Sequence, residues 1–434
     1  MIKLTPKFTF KFTPLASAIL MATAISAQAA PTSYTPIATG ISYGDASNPN
    51  TIYSTTASPA NNAMTVTDTD GYRIGVGANI QIQAEFDGLE GSKDFLDDRI
   101  RPILNTEIYT PQSALNLQNE TNAFLTKYND GNFSTLTGVT VPVMVKHEFL
   151  GGGISFDYTR QYGARGHIVK QGDVTAYDNN GELGISSGDA ALGVDYKQLD
   201  EFALSFGMDV MNTQNGALSV GLTARYLNLL SNTKLVDVSE IANDNLGNRD
   251  KDVNDYIKGI ESGSSHSNFT ADIGVNWTAE NYMVGVVGMN LTNPKFDVNN
   301  QSSAQTTADF SGEIDSKYEL KPQYRLMAQW FSKNRHWTLA GSYDLVKAND
   351  LNNEDTQWWS ASIAYATNTA WYIPDVRAGL RGNQVGTGYT YGTAGLTFGF
   401  LTLDVASTTT DFSGVTDKQK DAGVMGSIGL VFDF

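Results

Sequence analysis

Seven charged residues occupy alternate positions in segments whose other positions are mostly apolar. In "SVGLTARY", Arg225 falls on the face opposite Val220 and Leu222. An arginine and a carboxylate on one polar face of a sheet can form ion pairs or line a polar path for a solute. The residues of this kind are Asp209, Arg225, Arg325, Asp344, Arg377, Arg381 and Asp404. From residue types alone, the seven charges could either brace the wall as ion pairs or line a path for a solute, and both roles stay open.

Catalytic and metal chemistry have weaker support. The nearest approach to a nucleophile and base is "SSHSNF", but in a strand His266 and Ser267 point to opposite faces. Candidate calcium ligands at EF-hand-like spacing are Asp250, Asp252, Asn254 and Glu261. Asp255, however, stands where such a loop needs glycine. We therefore predict a non-enzyme with no catalytic residue, metal or cofactor, and interpret the acidic segment as a solvated external loop.

The elements that would position the seven charges are β-strands. Segments such as "EFALSFGMDV" alternate large apolar residues with small or charged ones, which is typical of a strand with one apolar face. Fourteen segments have this character, at residues 72–86, 139–149, 151–161, 194–211, 215–230, 266–278, 281–292, 315–332, 335–347, 356–368, 373–382, 388–399, 400–409 and 421–434.

Short and long connections alternate between these segments. The long connections are at 87–138, 162–193, 231–265, 293–314, 348–355, 383–387 and 410–420. Outer-membrane barrels show this alternation, with short periplasmic turns and longer external loops, whereas a soluble sandwich has no reason to produce it. We predict an all-β, antiparallel transmembrane β-barrel of about 14 strands over residues 71–434, with the seven charges lining its lumen.

Two segments do not have strand character. Residues 95–129, inside the first external loop at 87–138, show helical spacing interrupted by Pro102 and Pro111, which predicts a helical excursion. Residues 30–70 are rich in Ser, Thr, Asn, Pro and Ala with weak periodicity. They are interpreted as a plug-like N-terminal segment or a periplasmic tail.

The first 29 residues have the pattern of a signal peptide. Three lysines precede an apolar stretch of fewer than ~18 residues, and "AQA" at 27–29 predicts cleavage after Ala29. The chain is therefore expected to be exported to the outer membrane of a Gram-negative bacterium. Its final strand, "GSIGLVFDF", resembles the signal that the barrel-assembly machinery recognises, carried here by Leu430, Phe432 and Phe434. The expected partners are that machinery and outer-membrane lipid.

Composition agrees with this class and excludes others. The absence of cysteine from 434 residues excludes disulfides and thiol redox chemistry. A net charge of -17 without a basic stripe argues against nucleic acid as a partner. Forty-one glycines, 20 tyrosines and 20 phenylalanines, with a mean hydropathy of -0.25, fit strands that are apolar on one face only.

Three stretches together resemble known barrel families. The segment "GDASNPNTIYSTTASPANNAM" (Gly44 to Met64) is similar to the N-terminal asparagine-proline-alanine stretch of long-chain fatty acid transporter (FadL-like) barrels, with Ser58-Pro59-Ala60 at the motif's place. Together with the helical insert and "DVRAGLRGNQVGTGYTYGTAGLTFGFLTLDVA", it resembles the exported barrels labelled conjugal transfer TraF-like. These are distinct from the thioredoxin-fold TraF, whose dithiol chemistry a chain without cysteine cannot perform.

The resemblance and the residues leave two classes of function open. One is a channel or transporter for a small or hydrophobic solute, or a barrel supporting a conjugation or secretion assembly. The other is a surface-exposed binding or adhesion scaffold that acts through its long external loops, motivated by the lengths of 87–138, 162–193 and 231–265. Nothing in the sequence requires an oligomer.

Overall fold

The computed structural model describes residues 40–43, 52–64, 72–104, 110–129, 131–179, 182–186, 188–241, 253–366, 373–408 and 421–433. Fourteen strands form one antiparallel barrel. In chain order, β1 to β14 are Tyr72–Asp87, Asn132–His147, Gly152–Lys170, Ala190–Thr213, Gly216–Asp237, Ser265–Thr278, Tyr282–Met289, Gln323–Phe331, Trp337–Asp344, Trp358–Tyr365, Asp375–Asn383, Thr390–Phe398, Leu401–Thr408 and Ala422–Asp433. The predicted signal peptide, residues 1–29, lies outside the described residues.

The barrel closes because the last strand pairs with the first. Strand β14 runs antiparallel to β1, with Ala422 opposite Phe86 and Asp433 opposite Gly75. Each of the other strands pairs with its neighbours in chain order. Short turns at one end alternate with longer connections at the other, so the prediction of a 14-stranded barrel is confirmed. The short turns mark the periplasmic end, as in other outer-membrane barrels.

Outward-facing side chains form an apolar belt around the barrel. On β4, Phe202 and Leu204 are exposed, whereas Ala203 between them is buried. Aromatic rings lie at both edges of the belt, as they do in outer-membrane barrels. Ring pairs at these edges include Tyr158 with Phe202 at 4.9 Å and Phe400 with Phe432 at 5.7 Å. This exterior is that of an outer-membrane protein.

Strand boundaries differ from the predicted ones mainly at the external end. Strand β2 begins at Asn132, so the first external loop ends at 131 rather than 138, and β3 continues to Lys170 rather than 161. These extensions rise beyond the apolar belt, where the outward face is no longer apolar and alternation fades. Conversely, Lys317–Glu319 is not part of β8 but pairs with Lys295–Asp297 in a hairpin whose Phe296 and Tyr318 pack inside the barrel.

The first external loop contains the predicted helical excursion. Its elements are Ser92–Phe95, the π-helical turn Leu96–Ile100, Arg101–Leu104 and the long helix Pro111–Tyr128. Proline is favourable at the first position of the long helix because an N–H there would have no helical partner. The Thr110 side chain caps the same end by accepting a hydrogen bond from the Ser113 N–H. The helix packs against a second external hairpin, Ala176–Asn179 with Glu182–Ile185.

The other short elements connect the strands. Helices are Val253–Ile257, Ala304–Asp309 and residues 238–241, and Glu148–Leu150 is a 3-10 turn. Short strands are Asn299–Asn300, Ala348–Asn349 and Asp355–Thr356. None of the described helices is long and apolar enough to cross a membrane.

Two N-terminal stretches lie inside the barrel. The first is the helical turn Gly40–Tyr43, and the second is residues 52–64, the inner segment, which contains the turns Ser54–Ala57 and Asn61–Met64. From 52 to 63 every side chain except Thr56 is buried. The described part of the predicted 30–70 segment thus occupies the lumen.

Candidate functional site

Inward-facing residues of β4 mark successive layers of the barrel interior. From the periplasmic side outward, Gly207 faces the inner segment, Glu201 an ion-pair network, Leu199 an apolar cluster and Lys197 an external cavity. At about 3.3 Å per residue, these four positions are spread over about 33 Å along the tilted strand. The interior is therefore filled in different ways at different depths.

The ion-pair network is built around Arg225 on β5. Its Nε lies 2.5 Å from Asp272 Oδ2 on β6, and its Nη1 donates to Glu201 on β4. The side chains of all three residues are at most 6% exposed. Asp157 on β3 is buried within electrostatic reach of the same arginine. Because buried carboxylates outnumber the guanidinium, this network depends on Arg225.

A second buried pair joins β8 to β9. Arg325 lies opposite Asp344 in register, and its Nε is 2.6 Å from Asp344 Oδ1. The other carboxylate oxygen accepts from Gln323 at 2.7 Å and from the Trp358 N–H at 2.9 Å. Asp344 therefore ties three strands together in addition to neutralising Arg325.

A third pair connects the wall to the N-terminal stretch. Arg377 on β11 donates to Asp404 on β13 at 2.8 Å. The Ser42 hydroxyl donates to the same carboxylate at 2.7 Å. Through Ser42, the helical turn Gly40–Tyr43 is fastened inside the barrel.

The remaining two candidate charges lie in different surroundings. Arg381 is 1% exposed, and its guanidinium carbon lies 4.3 Å from the centroid of the Trp358 ring. Asp209 is exposed at the periplasmic end of β4, where Ser219 donates to it at 2.6 Å and the register shifts before Met211. Six of the seven charges thus lie inside the barrel, while Asp209 lies at its rim because the lumen ends near Gly207.

The inner segment is held by close packing and a few hydrogen bonds. The Tyr53 hydroxyl lies 2.7 Å from the carbonyl oxygen of Ala78 and 2.5 Å from that of Leu430, on the two strands that close the barrel. Asn276 donates to the Asn61 side chain at 2.6 Å. A side chain at Gly207 would overlap the Pro59 carbonyl, so the wall provides space only for backbone.

An apolar cluster crosses the interior outside the ion-pair network. Strands β2, β4 and β5 supply half of it, and the inward-folded loops 290–322 and 345–357 supply the rest. Its members are Leu136, Leu199, Leu227, Leu229, Phe296, Tyr318, Leu320 and Leu351. The Tyr318 hydroxyl donates to the Asp350 carbonyl at 2.9 Å and joins the two loops. Beyond the cluster, a polar cavity of about 430 Å³ lies at the external end.

Two acidic residues of the loop 345–357 lie at this end of the barrel, Asp350 buried and Glu354 half-buried. The Asp350 carboxylate accepts the Glu354 N–H at 2.9 Å, and Glu354 Oε1 lies 3.4 Å from Arg165 Nε. Burial, followed by repulsion from Asp350, raises the pKa of Glu354 above its usual range. The inward-folded loop therefore binds a proton more tightly than the released loop would.

We expect the packing of this loop to weaken as pH rises. The pKa of Glu354 is higher in the folded state than in the unfolded chain, where it is about 4.3. The stabilisation that protonated Glu354 gives the packed loop is therefore complete below about pH 4.3 and is lost as the pH rises through the raised pKa. Hydrogen exchange in peptides covering 346–357, corrected for intrinsic rates, should accelerate by about tenfold or more between pH 5 and pH 9. Glu354→Gln should flatten this dependence; an unchanged pH profile in that variant would contradict the assignment.

Sequence reasoning missed Glu201, Asp272 and Lys197. Glu201 has the same parity as Ala203 and Ser205 in "EFALSFGMDV", and Lys197 continues that parity toward the external end. Extending the alternation outward along β4 would have placed both on the inward face. Their pairing and depth depend on strand register, which the alternation does not report.

The other sequence motifs have separate surroundings. The Ser267 hydroxyl lies 2.7 Å from that of Tyr226, whereas His266 Nδ1 is 3.9 Å from Asp297 Oδ2. Asp250 and Asp252 lie outside the described residues. In the part of the chain that the structure describes, no group of three or more acidic or histidine side chains converges on a possible metal position. Leu430 and Phe432 face outward on β14, and Phe434 lies outside the described residues, so the assembly signal stays a prediction.

Comparison with solved structures finds other barrels. The toluene transporter TodX from P. putida has 10% identity and a TM-score of 0.36, covering 87% of this chain and 91% of that one. A Pseudomonas aeruginosa FadL homologue has 11% identity and a TM-score of 0.36, covering 94% and 98%. A TodX deltaS2S3 mutant, described as a monoaromatic hydrocarbon channel, reaches a TM-score of 0.41 at 10% identity, covering 87% and 92%. These similarities are too low to transfer any property to this chain.

Comparison with protein families is more specific. No curated protein sequence matches the chain significantly. One family, described as "F plasmid transfer operon, TraF, protein", matches residues 55–344, from the inner segment to the end of β9. Since this match spans more than half of the sequence, the chain belongs to that TraF family.

Proposed function

We propose that this barrel is a gated outer-membrane transporter for a small solute, in which the inner segment 52–64 closes the periplasmic half of the lumen. The carrying observation is the position of that segment, buried between wall strands and aligned with wall glycines. A polar cavity at the external end provides an entrance, and the apolar cluster lies between entrance and exit. Transport requires the inner segment to move, because it fills the space in which a solute would leave.

The barrel wall and the inner segment are held by different interactions, which supports a fixed wall and a movable inner segment. Buried ion pairs such as Arg325 with Asp344 join neighbouring strands and brace the wall. The inner segment packs against wall glycines and hydrogen-bonds to the wall through Tyr53, through Asn61 and through the Ala63 carbonyl, which accepts from Lys146. Because the ion pairs that join the wall strands do not involve residues 52–64, release of the inner segment would leave those pairs in place.

Single-channel conductance tests the proposal. The refolded full chain and a variant lacking residues 30–70, which end just before β1, are compared in planar bilayers. A matched control lacks residues 176–185, which contain the external hairpin that packs against the helix Pro111–Tyr128. We expect conductance only after removal of 30–70. Steady conductance of the full chain would indicate an open pore, and silence in all three, with insertion verified, would contradict the transport proposal.

A second candidate function is a rigid external binding platform. Strands β3, β4 and β5 contain 19, 24 and 22 residues, whereas about 9–11 suffice to cross a membrane. Outside the membrane, Asn122 of the helix Pro111–Tyr128 exchanges two hydrogen bonds of 2.8 and 2.9 Å with the backbone of Val174. Because the family's description refers to a plasmid transfer operon, the platform could support a transfer assembly. Shortening 92–128 should then lower plasmid transfer frequency while leaving conductance unchanged.

A further inference from the structure

The external cavity is lined by charged side chains of both signs, some deep in the cavity and some at its rim. It encloses about 430 Å³ between β3, β4, β5 and the inward-folded loops. Its deep charged residues are Arg165, His167, Asp195 and Lys197, whereas Glu313, Asp315 and Lys317 are exposed at the rim and Lys170 is half-buried. The deep wall therefore carries a guanidinium, an ammonium and an imidazole beside the Asp195 carboxylate, and the Asp350 and Glu354 carboxylates lie near Lys197 and Arg165.

Lys197 is the deepest of these cations. The residue is 5% exposed, and its ammonium lies 5.2 Å from the centroid of the Tyr318 ring. Within the described ranges, no side chain or carbonyl forms a hydrogen bond with this ammonium. A buried ammonium without such a partner is costly, and an anion in the cavity would provide one.

The Asp195 and Asp350 carboxylates attract the Lys197 ammonium electrostatically, but their hydrogen bonds are made to other groups. The Thr233 hydroxyl donates to Asp195 Oδ1, and the Asp350 carboxylate accepts the Glu354 N–H at 2.9 Å. Arg165 Nε lies 3.4 Å from Glu354, and His167 Nδ1 lies 3.8 Å from Asp195. Arg165 and His167 therefore have acidic neighbours of their own, whereas the Lys197 side chain lines the cavity.

We propose that the external cavity binds a small organic carboxylate, with the Lys197 ammonium as its principal partner and Arg165 and His167 beside it. The apolar side chains of Leu235, Val298 and Tyr318 also line the cavity, which favours an organic anion over inorganic phosphate. The volume lies within the range of small-molecule sites. This inference deepens the proposed transport function by naming its substrate class and rests on that function for its physiological role.

Calorimetric titration of the refolded full chain in detergent tests the site. Succinate is the probe, and succinamide and inorganic phosphate are titrated in parallel. We expect succinate to bind and succinamide to bind at least tenfold more weakly, a comparison that needs no variant. Equal binding of succinamide, or tighter binding of phosphate, would overturn the proposal of an organic carboxylate site.

Variants then locate the bound anion. Lys197→Met retains the apolar stem without the charge and should weaken succinate binding at least tenfold, whereas Lys197→Arg should restore most of it. The control Lys333→Met changes a lysine in the periplasmic turn after β8 and should bind as the unmodified chain does. Unchanged affinity in Lys197→Met would overturn the assignment.

Succinate flux into vesicles through the variant lacking residues 30–70, whose lumen the proposed function expects to be open, separates this inference from the proposed function. Succinate binding that depends on Lys197, without succinate flux, would support the site and contradict transport. Flux that Lys197→Met leaves unchanged would support transport and contradict the site.

Discussion

Replacing Gly207 and Gly221 together by alanine should release the inner segment from the wall. A Cβ at Gly207 would overlap the Pro59 carbonyl, and one at Gly221 would overlap the Pro59–Ala60 peptide. Overpacking of this kind costs about 1–3 kcal/mol per site, so two sites should make the packing of the inner segment against the wall less favourable by about 2–6 kcal/mol. Since about 1.4 kcal/mol is tenfold, exposure of the segment should increase about 30-fold or more.

A single cysteine in the inner segment measures this exposure. The chain has no cysteine, and Ser58 is fully buried with no hydrogen-bond partner for its hydroxyl among the described residues, so Ser58→Cys is a suitable reporter. Its labelling by a membrane-impermeant maleimide should be slow in the parent and fast in the double-alanine variant. Gly426→Ala is the control, because its Cβ would meet nothing closer than 3.9 Å. Equal labelling in all three would show that wall glycines do not control the segment.

Replacing Arg325 by methionine should destabilise the barrel by about 3–5 kcal/mol, because a buried carboxylate loses its cation. Asp344 is fully buried, and its remaining donors are Gln323 and the Trp358 N–H. Urea unfolding of the refolded protein in lipid vesicles provides the free energy of unfolding. The loss should appear as a lower midpoint with an unchanged slope, which distinguishes lower stability from a change in compactness.

A double variant identifies the cause of that loss. Arg325→Met with Asp344→Asn removes both charges and keeps an oxygen to accept from Gln323 and the Trp358 N–H, so it should recover most of the stability. Asp209→Asn, at the exposed rim, should change the free energy of unfolding by no more than about 0.5 kcal/mol. If the double variant were as unstable as Arg325→Met alone, lost packing rather than unpaired charge would explain the effect.

The wall and the inner segment should respond to these changes in different ways. The wall is stabilised by charges paired between neighbouring strands, so its disruption should change global stability. The inner segment is positioned by backbone packed against glycine, so its disruption should change local exposure while the barrel persists. Measuring the free energy of unfolding and the labelling of the inner segment in the arginine and the glycine variants would distinguish effects on the wall from effects on the inner segment.

Parts of the candidate site were predictable because they follow from local alternation. Arg225, Arg325, Arg377 and Asp404 occupy positions opposite the apolar face, and the structure places each of them inside. Asp209 has the same parity but lies at the exposed rim, because parity indicates a face and not a depth. The alternation predicts a strand from 315 to 332, but Lys317–Glu319 pairs with Lys295–Asp297 instead of joining β8, and both arrangements have the same alternation.

By itself, the sequence determined that this protein is a closed barrel of fourteen strands with an apolar exterior and a charged inward face. That information is local, because side chains alternate with a period of two and turn lengths follow the chain. Only the tertiary structure decided that Arg225 meets Glu201 and Asp272, that residues 52–64 lie against Gly207, and that Lys197 opens onto a cavity. These relations depend on register between strands and on the packing of distant segments into one volume, which no local pattern specifies.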